Sequence, residues 1–502
     1  MNFASVARCL FALGALVLSA EPMEGGEPQR YNVLMIAADD LRCDLGCYGN
    51  TLVETPNLDS LAARGLLFER AYCQQAVCNP SRASLFTGRY PDELEVWDLR
   101  THFRRKHPGI VTLPQQFKRN GWHVEGIGKL YHNNPKGMQD PESWSTPSKF
   151  EWGTHALEYA LPENSPGSVG KRSVFERGPV EDDAYRDGKI TELAVEAIGR
   201  LREKPFFLGV GFWRPHAPFL APEKYWEHLD GKKLPPPEPA AAPEGAPAIA
   251  FHDNREIRGY TPVPKQGDIP TELVGKMRHG YWASINYMDA NIGKLLAALE
   301  EHGLEERTIV VFWSDHGYHL GEHGLWCKTS NFELDARVPL LLVPPAGSGK
   351  AARTAAPAEL VDIYPTLLEM CGLPAAEGAR GRSLAPLLAD PEAPLRAGAI
   401  TQHPRPNYYG DFSAGEKPEA MGYSIRTARF RYTEWRKFRE DREVLARELY
   451  DHAQDEAETR NVVDDARYAE FLPELEKLLA EKITLGRGEW KSTLRPPTIP
   501  SP

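Results

Sequence analysis

The chain of 502 residues has little cysteine, no excess of positive charge and almost no long apolar runs. Seven cysteines are too few for a disulfide scaffold in a chain of this length. The 70 acidic residues outnumber the 59 basic ones, and the net charge of −11 argues against nucleic-acid binding, which requires basic patches. Beyond residue 20, no apolar stretch is long enough to span a bilayer. We therefore expect neither a nucleic-acid partner nor stable membrane insertion.

The N-terminal residues have a pattern of their own. Arg8 supplies one positive charge, residues 9–18 are apolar, and the small residues Ser19 and Ala20 precede Glu21. This pattern is typical of a secretory signal peptide that is cleaved near Ala20. We predict a signal peptide over residues 1–20 and an exported mature protein, periplasmic or secreted.

Four short apolar runs, at residues 32–38, 122–127, 206–212 and 308–313, predict strands that are buried on both faces. Helical patterns at residues 57–64, 187–203, 271–301 and 359–370 lie between or after them. Strands that alternate with helices predict an α/β fold with a large, mostly parallel sheet. Polar residues follow each strand: Asp39 and Asp40; Gly128 and Lys129; Arg214 and His216; Ser314, Asp315 and His316. Because ligands of such sheets bind at the carboxyl ends of the strands, we expect these residues to share one crevice.

The C-terminal part has a different pattern. A stretch rich in Pro and Ala at residues 374–394 indicates a boundary. We predict a catalytic domain over residues 30–390 and a C-terminal α+β subdomain over residues 395–502 that completes the pocket. Short apolar runs at residues 422–427 and 430–435 predict antiparallel strands, and residues 471–483 predict a final helix. Residues 232–270, also rich in Pro and Ala, are interpreted as an irregular excursion.

Residues 77–88 read VCNPSRASLFTG and predict a helix that begins near Cys78. Asn79 is a candidate helix cap, and Pro80 suits a first turn. Arg82 lies four residues after Cys78, on the same helix face. A cysteine at a helix N-terminus beside an arginine lies in positive potential, which favours a bound anion. Taken alone, Cys78 is more often a buried core thiol.

The motif CNPSR at residues 78–82, followed by TGR at residues 87–89, resembles the signature of the type I sulfatases. Residues 32–40, 128–132, 214–216 and 314–328 resemble further motifs of this family, in the same order. More narrowly, QHPRP at residues 402–406 and MGYSIRTARFRYTEW at residues 421–435 resemble iduronate 2-sulfatases. The resemblance implies an alkaline-phosphatase-like fold and the activity of a sulfuric ester hydrolase.

The resemblance also implies a nucleophile and a metal. In this family the cysteine, here Cys78, is converted to formylglycine by a maturation machinery, and the hydrated aldehyde attacks sulfur. Acidic residues at strand ends are suited to a hard divalent cation, which the family provides as one Ca²⁺. The implied metal ligands are Asp39, Asp40, Cys78, Asp315 and His316. His316 stands where many sulfatases have Asn.

Cationic and imidazole side chains complete the predicted site. Arg82, Lys129 and Lys328 are the expected clamps of the sulfate and the nucleophile. His132 and His216 are the candidate acid–base groups, because imidazole titrates near neutral pH. By resemblance, His132 helps to break down the covalent intermediate, whereas His216 holds and protonates the scissile oxygen. A lone lysine or histidine more often has a structural role, and here the motifs favour catalysis.

The expected substrate is a sulfated oligosaccharide, most narrowly one with a 2-O-sulfated uronic acid. A uronate carboxylate needs further positive groups, and Arg405, Arg426 and Arg431 are candidates that could equally form structural salt bridges. Tyr318 and Thr329 depart from the Trp and Tyr expected of an iduronate 2-sulfatase. The alternatives are therefore a sulfatase for another sugar, a phosphomonoesterase or phosphonate hydrolase of the same superfamily, and a non-catalytic glycan-binding protein. The complete CNPSR motif favours a sulfatase.

One basic segment lies outside these motifs. Residues 102–107 read HFRRKH and predict a basic loop. The loop is either a solvated face or an outer contact for an acidic polysaccharide.

Overall fold

A computed structural model describes residues 30–132, 138–149, 159–164, 172–348, 350–406, 417–438 and 443–488. The predicted signal peptide lies outside the described residues. The described residues from Tyr31 onward form one unit by their internal contacts, and this unit includes residues of both the predicted catalytic domain and the predicted C-terminal subdomain. The boundary between the two stays a prediction.

The strands and helices are numbered in chain order. The strands are β1 (Asn32–Asp39), β2 (Leu66–Phe68), β3 (Ala71–Tyr72), β4 (His123–Gly128), β5 (Phe175–Gly178), β6 (Phe206–Pro215), β7 (Phe219–Pro222), β8 (Thr308–Ser314), β9 (His319–Leu320), β10 (Trp326–Cys327), β11 (Arg337–Val338), β12 (Leu340–Val343), β13 (Ala352–Thr354), β14 (Ala358–Glu359), β15 (Gly398–Arg405), β16 (Ala420–Thr427), β17 (Phe430–Lys437) and β18 (Val444–Asp451). The helices are α1 (Pro56–Ala62), α2 (Cys78–Thr87), α3 (Pro91–Leu94), α4 (Leu113–Arg119), α5 (Arg186–Leu201), α6 (Lys224–Glu227), α7 (Thr271–Glu301), α8 (Glu333–Ala336), α9 (Ile363–Met370), α10 (Pro386–Ala389) and α11 (Leu472–Gly486).

The four predicted strands are neighbours in the largest sheet, whose order is β13-β2-β12-β8-β1-β6-β4. β1 pairs in parallel with both β6 and β8, and β4 pairs in parallel with β6. β12 is antiparallel to β8 and β2, so the sheet is mixed but mostly parallel. The carboxyl ends of β4, β6, β1 and β8 therefore lie side by side along one edge, as predicted.

Both faces of this sheet are covered, which explains why its strands are apolar without alternation. Leu34 and Ile36 of β1 join the core formed with α5 and α7 on one face. Val33 and Met35 join the core formed with α2, α4 and α9 on the other face. Successive side chains of β1 thus pack into cores on opposite faces of the sheet, and apolar side chains are favoured in both cores.

The C-terminal subdomain contains an antiparallel sheet in the order β15-β16-β17-β18. Helix α11 packs on it through Leu475 and Leu479, which share a core with Ile425 and Tyr432. The Gln402 backbone N–H donates to the Gln74 carbonyl over 2.9 Å, which ties β15 to the segment just before α2. The predicted strands and final helix of this region are confirmed, with small differences at their ends.

Some element boundaries differ from the predictions. The helix expected at residues 359–370 begins at Ile363, because residues 360–362 form a tighter 3₁₀ turn before it. Residues 232–270 are irregular, as predicted, with short 3₁₀ turns at Ala248–Ala250 and Ile257–Gly259. Among the described helices, none combines the length and the apolar character that a bilayer span requires, the 31-residue α7 included.

Candidate active site

The predicted polar residues gather where the central strands end. The side-chain ligand atoms of Asp39, Asp40, Cys78 and His216 all lie within 4.8 Å of one another. Those of Cys78, Asp315 and His316 form a second group within the same distance of one another, and Cys78 belongs to both groups. All five predicted metal ligands therefore belong to one buried cluster, to which His216 adds a donor that the sequence assigned to acid–base chemistry.

Cys78 is the first residue of α2 and lies at the centre of this cluster. Its Sγ lies 3.5 Å from Asp39 Oδ1, 3.4 Å from His316 Nε2 and 3.8 Å from Lys129 Nζ. Burial, reinforced by the Asp39 charge, raises the pKa of the Cys78 thiol well above its usual range.

The prediction that Asn79 caps α2 is wrong, since Val77 occupies the cap position without a side-chain hydrogen bond. The Asn79 amide instead donates to the carbonyls of Asp98 (2.7 Å) and Thr101 (2.9 Å). Because α2 already begins at Cys78, Asn79 lies within the first helical turn, and its amide fixes the short loop at residues 98–101 against α2.

Arg82 is fully buried and connects the elements of the site. Its Nε donates to Asp315 Oδ2 (2.8 Å), and one terminal nitrogen donates to Asp39 Oδ1 (3.0 Å) and the Ala38 carbonyl (3.3 Å). The other terminal nitrogen donates to the carbonyls of Lys129 and Leu130. All five guanidinium N–H groups thus have protein acceptors. Arg82 thus links the predicted metal-ligand carboxylates Asp39 and Asp315 to the loop after β4, and its part in binding sulfate stays a prediction.

The turn after β1 places two consecutive carboxylates in the cluster. Asp40 has a left-handed backbone with φ 63°, which Asp tolerates better than most residues. Its N–H donates to Asp315 Oδ1 (3.1 Å), and its carbonyl accepts from the Tyr281 hydroxyl (2.8 Å) of α7. The next N–H, that of Leu41, donates to Ser314 Oγ (3.0 Å). These bonds, from β8 and α7, hold the strained turn in place.

The orientation of His316 is suited to metal binding. Its Nδ1 lies 3.0 Å from the Gly317 carbonyl, a contact that requires the proton to be on Nδ1. Nε2 is then the lone-pair atom, and it faces Cys78 Sγ and, at 3.3 Å, Asp40 Oδ1. A backbone carbonyl that fixes the tautomer is the usual support of a metal-binding imidazole.

Glycines allow the loop after β4 to lie directly against β6. A Cβ on Gly211 would overlap the Lys129 carbonyl, and a Cβ on Gly128 would overlap the Gly211 carbonyl. Gly128 also has φ 81°, which a residue with a side chain rarely adopts. This close approach brings the Lys129 amine to Asp39 and, at 5.2 Å, over the Trp213 ring.

Glu256 belongs to the site, and the sequence analysis missed it. Its Oε1 lies 2.8 Å from Lys328 Nζ and 3.2 Å from His216 Nε2. Lys328 Nζ also donates to Asp40 Oδ2 (2.9 Å) and lies 3.2 Å from His216 Nε2. Glu256 comes from the irregular excursion, where neither periodicity nor a motif distinguishes it from the other charged residues.

The balance of acidic and basic side chains in the described cluster indicates whether a metal cation fits there. The carboxylates are those of Asp39, Asp40, Glu256 and Asp315, and the cations are Arg82, Lys129 and Lys328. Four carboxyl groups therefore face three cations at buried positions, where an unbalanced charge is costly, and burial together with the neighbouring carboxylates raises the pKa of Asp40 well above its usual range. A divalent cation among these oxygen donors reverses the excess and leaves the site positive, as an anionic sulfate requires. The donor set fits a hard metal ion.

His132, the predicted base, lies at the edge of the cluster. Burial and the nearby Lys129 charge hold the pKa of its imidazole well below the usual range. Its Nδ1 is buried and has no hydrogen-bond partner among the described residues. No contact between this ring and Cys78 is found within the described residues, so its part in catalysis stays a prediction.

The three arginines considered for a uronate carboxylate have different environments. Arg426 and Arg431 form buried ion pairs with Glu333, and Arg431 also pairs with Glu458 (2.6 Å), so both are structural salt-bridge residues. Arg405 instead donates to backbone carbonyls, among them that of Thr329 (3.1 Å), the neighbour of Lys328.

Comparison with known proteins identifies the family. The family described as Sulfatase matches residues 31–373, and the family described as N-sulphoglucosamine sulphohydrolase, C-terminal, matches residues 321–484. Human iduronate 2-sulfatase is 32% identical, over 90% of this chain and 94% of its own length. The chain belongs to the sulfatase family. It is a sulfuric ester hydrolase, as the CNPSR motif predicts.

Solved structures confirm the fold of this sulfatase. A protein solved with its substrate D-glucosamine-2-N,6-O-disulfate aligns with a TM-score of 0.71 at 23% identity, over 91% of this chain and 98% of that chain. The phosphonate monoester hydrolase of Silicibacter pomeroyi aligns with a TM-score of 0.73 at 23% identity, over 93% and 97%. The alkaline-phosphatase-like α/β fold with a C-terminal antiparallel sheet is therefore confirmed. Such distant relatives establish the fold alone, and the family match carries the activity.

Sulfatases generally use formylglycine and a divalent metal ion, and the buried cluster offers a candidate place for both. Among the donors described above, Asp39, Asp40, Asp315 and His316 surround Cys78. The individual roles of these residues belong to the proposal below.

Glu256→Gln tests the residue that the sequence analysis missed. The amide keeps the shape but removes the charge that Lys328 and His216 share, so we expect kcat/KM for a sulfate ester to fall about ten-fold or more. The matched control is Glu272→Gln, which removes an exposed ion pair with Lys276 at the surface of α7 and should leave activity within about two-fold. Thermal melting of both variants checks the fold. Unchanged kinetics of Glu256→Gln would exclude a role for this carboxylate.

Proposed function

We propose that this sulfatase hydrolyses the 2-O-sulfate of a uronic acid, most narrowly iduronate, at the non-reducing end of a sulfated oligosaccharide. The observation that carries the proposal is the 32% identity to human iduronate 2-sulfatase over 90% of the chain. The name of this relative specifies a 2-sulfated iduronate as its substrate. Membership of the sulfatase family by itself supports only the hydrolysis of a sulfate ester.

The segments with the narrower resemblance border the site, as a substrate-recognition role requires. QHPRP lies on β15 and its end, and MGYSIRTARFRYTEW lies on β16 and β17. The Arg405 guanidinium of the first segment donates to the Thr329 carbonyl, directly after Lys328. The Gly422 carbonyl of the second accepts from the Asn331 amide (3.0 Å). These contacts connect the C-terminal subdomain to the loop that carries Lys328.

In the proposed active enzyme, Cys78 has been converted to formylglycine by a maturation enzyme. One Ca²⁺ is held by Asp39, Asp40, Asp315, His316 and the modified Cys78. When present, the hydrated aldehyde and the ion supply an acidified hydroxyl nucleophile and a hard Lewis acid. The buried carboxylates and the fixed His316 tautomer support this assignment.

In the proposed reaction, side chains of the protein bind and orient the sulfate ester and protonate its leaving oxygen. Lys129 Nζ, beside Cys78, and Lys328 Nζ, beside Asp40, flank the nucleophile and neutralise the sulfate oxygens as point charges. His216 Nε2 gives its proton to the leaving oxygen as the S–O bond breaks, and the alcohol departs neutral. Glu256 stabilises the protonated imidazole across 3.2 Å. His132, at the edge, is the proposed base of the second step.

Two observations favour alternatives. Tyr318 is fully buried, stacks on Tyr281 and donates to Cys327 Sγ (3.2 Å), so this position packs the core where the resemblance leads one to expect Trp. A different sulfated sugar is therefore the first alternative. The structural similarity to a phosphonate monoester hydrolase supports the second, against which the complete CNPSR motif speaks.

The proposed location is outside the cytoplasm, after cleavage near Ala20. The pattern of residues 1–20 supports export, and the maturation enzyme is the proposed transient partner. The substrate partner is the sulfated sugar.

Conversion of Cys78 is tested by peptide mass spectrometry of active protein. Trypsin releases residues 71–82, which contain both Cys73 and Cys78. We expect Cys78 to have lost its sulfur and gained an aldehyde, while the buried Cys73 in the same peptide stays a thiol and serves as the internal control. Cys78→Ala should abolish turnover, and Cys371→Ala should not. Full activity with only unmodified Cys78 would refute the nucleophile.

The metal is tested by chelation and by ligand substitution. Asp40→Asn and Asp315→Asn should each remove most of the activity and lower the bound calcium in elemental analysis, because a carboxylate ligand is lost. Asp183→Asn, at an exposed position near α5, is the matched control and should change neither. Removal of the ion should inactivate the enzyme, with Ca²⁺ restoring it best. Better recovery with Zn²⁺ would contradict the assignment.

The substrate is tested with a panel at equal concentration: iduronate 2-sulfate, glucuronate 2-sulfate, glucosamine 6-sulfate, galactose sulfates and a phosphonate monoester. We expect the highest kcat/KM with iduronate 2-sulfate. A preference for a sugar without the carboxylate would defeat the uronate assignment and leave the sulfatase activity standing. A preference for the phosphonate ester would select the second alternative.

A further inference from the structure

A basic groove lies on the outer side of the irregular segment that carries Glu256. It is a cavity of about 570 Å³ lined by Asp253, Arg255, Arg258, Gly259, Lys265, Gln266 and Gly267. Three cationic side chains thus face one carboxylate, on a protein whose net charge is −11. A local excess of positive charge on an acidic protein is a feature that attracts anions selectively.

The positive charge of the groove is held in place but not neutralised. The Arg258 guanidinium donates to the carbonyls of Pro264 (2.8 Å) and Gly267 (2.9 Å), and Lys265 Nζ donates to the Arg258 carbonyl. Among the described residues, neither Arg258 nor Lys265 forms an ion pair with a carboxylate, whereas Arg255 pairs with Asp253 (3.0 Å). Neutral acceptors fix the cations while their charge remains available to a ligand.

The basic loop predicted at residues 102–107 is a weaker candidate for the same role. Arg104 forms a forked pair with both carboxylate oxygens of Asp140, and Lys106 lies 3.3 Å from Glu95. These carboxylates compensate the charges of the loop, so the solvated-face interpretation fits it better.

The segment that lines the basic groove also contacts the acid–base group of the proposed reaction. Glu256 lies between Arg255 and Ile257 in the chain, and its carboxylate reaches Lys328 and His216. A second tether joins the same segment to the residue after His216, since the Tyr260 hydroxyl donates to the Ala217 carbonyl (3.0 Å). The segment that lines the groove therefore also carries a side chain of the site.

We propose that the basic groove binds the anionic groups, sulfate or carboxylate, of the sugars that follow the scissile sulfate-bearing unit in the substrate chain. This inference rests on the proposed function only in that the substrate is an anionic oligosaccharide, and it holds for any terminal sulfated sugar. The groove then selects longer chains by charge, whereas the buried cluster performs the chemistry.

The test compares a sulfated tetrasaccharide with the methyl glycoside of its terminal sulfated sugar. Lys265→Glu should raise KM for the tetrasaccharide about five-fold with kcat unchanged, because a surface charge contributes to encounter and binding rather than to the transition state. The monosaccharide should stay within about two-fold, and added NaCl should shrink the difference between wild type and variant. The matched control is Lys204→Glu, an exposed charge just before β6 at the opposite edge of the sheet, which should leave both substrates unaffected.

A further variant and modified tetrasaccharides distinguish the possible results of this experiment. Lys265→Gln should give a smaller change of the same sign, and tetrasaccharides without the inner sulfate or with a reduced carboxyl group identify which anion the groove binds. Equal effects of Lys265→Glu on both substrates, or none on either, would overturn the proposal. If the wild type turns over no sulfated sugar, the proposed function fails by itself. The groove is then judged by titration of Cys78→Ala protein with the tetrasaccharide, where Lys265→Glu must weaken binding.

Discussion

The buried ion pairs of Arg82 are the interaction on which the rest of the site depends. One guanidinium reaches the ends of β1 and β8 through Asp39 and Asp315, and it reaches the loop after β4 through the carbonyls of Lys129 and Leu130. Removing one partner of such a buried pair typically costs about 3–5 kcal/mol, because the remaining charge has lost its compensation. The helix that carries Cys78 is thereby fixed to three parts of the structure at the position where sulfate must bind.

A site built largely from carboxylates repels an anion unless a cation is added, and the charge balance shows how large that cation's charge must be. The carboxylates exceed the side-chain cations by one, so the protein alone does not supply a positive site. A divalent ion bound as proposed would reverse that excess, and substrate affinity would then depend on occupancy by the metal. Lys328 is shared between Asp40 and Glu256, so Glu256 would still hold its ammonium if Asp40 turned to the ion.

The sequence predicted the catalytic sheet well because two independent signals agreed there. Buried strands without alternation located β1, β4, β6 and β8, and the motifs that follow them located the polar cluster. Glu256 escaped prediction because its contact with Lys328 spans 72 positions from a segment without periodicity. The role of Arg82 was predicted only in part, since a motif shows that an arginine is present but not which acceptors use its five donors. The predicted Asn79 cap is wrong because α2 begins one residue earlier, at Cys78, which places Asn79 inside the helix.

Chemistry and recognition have different structural origins in this sulfatase. The reacting groups lie at strand ends and at the start of α2, where pairing and packing leave the backbone little freedom. The groups proposed to recognise the sugar come from β15–β17 and from residues 253–267, which touch the site through contacts such as Arg405 to Thr329, Glu256 to Lys328 and Tyr260 to Ala217. A change in those outer segments can alter the preferred sugar without disturbing the ligand cluster, because no side chain of theirs other than Glu256 is joined to it by a described ion pair. Glu256 is therefore the side chain through which the proposed recognition segment contacts His216, the proposed proton donor.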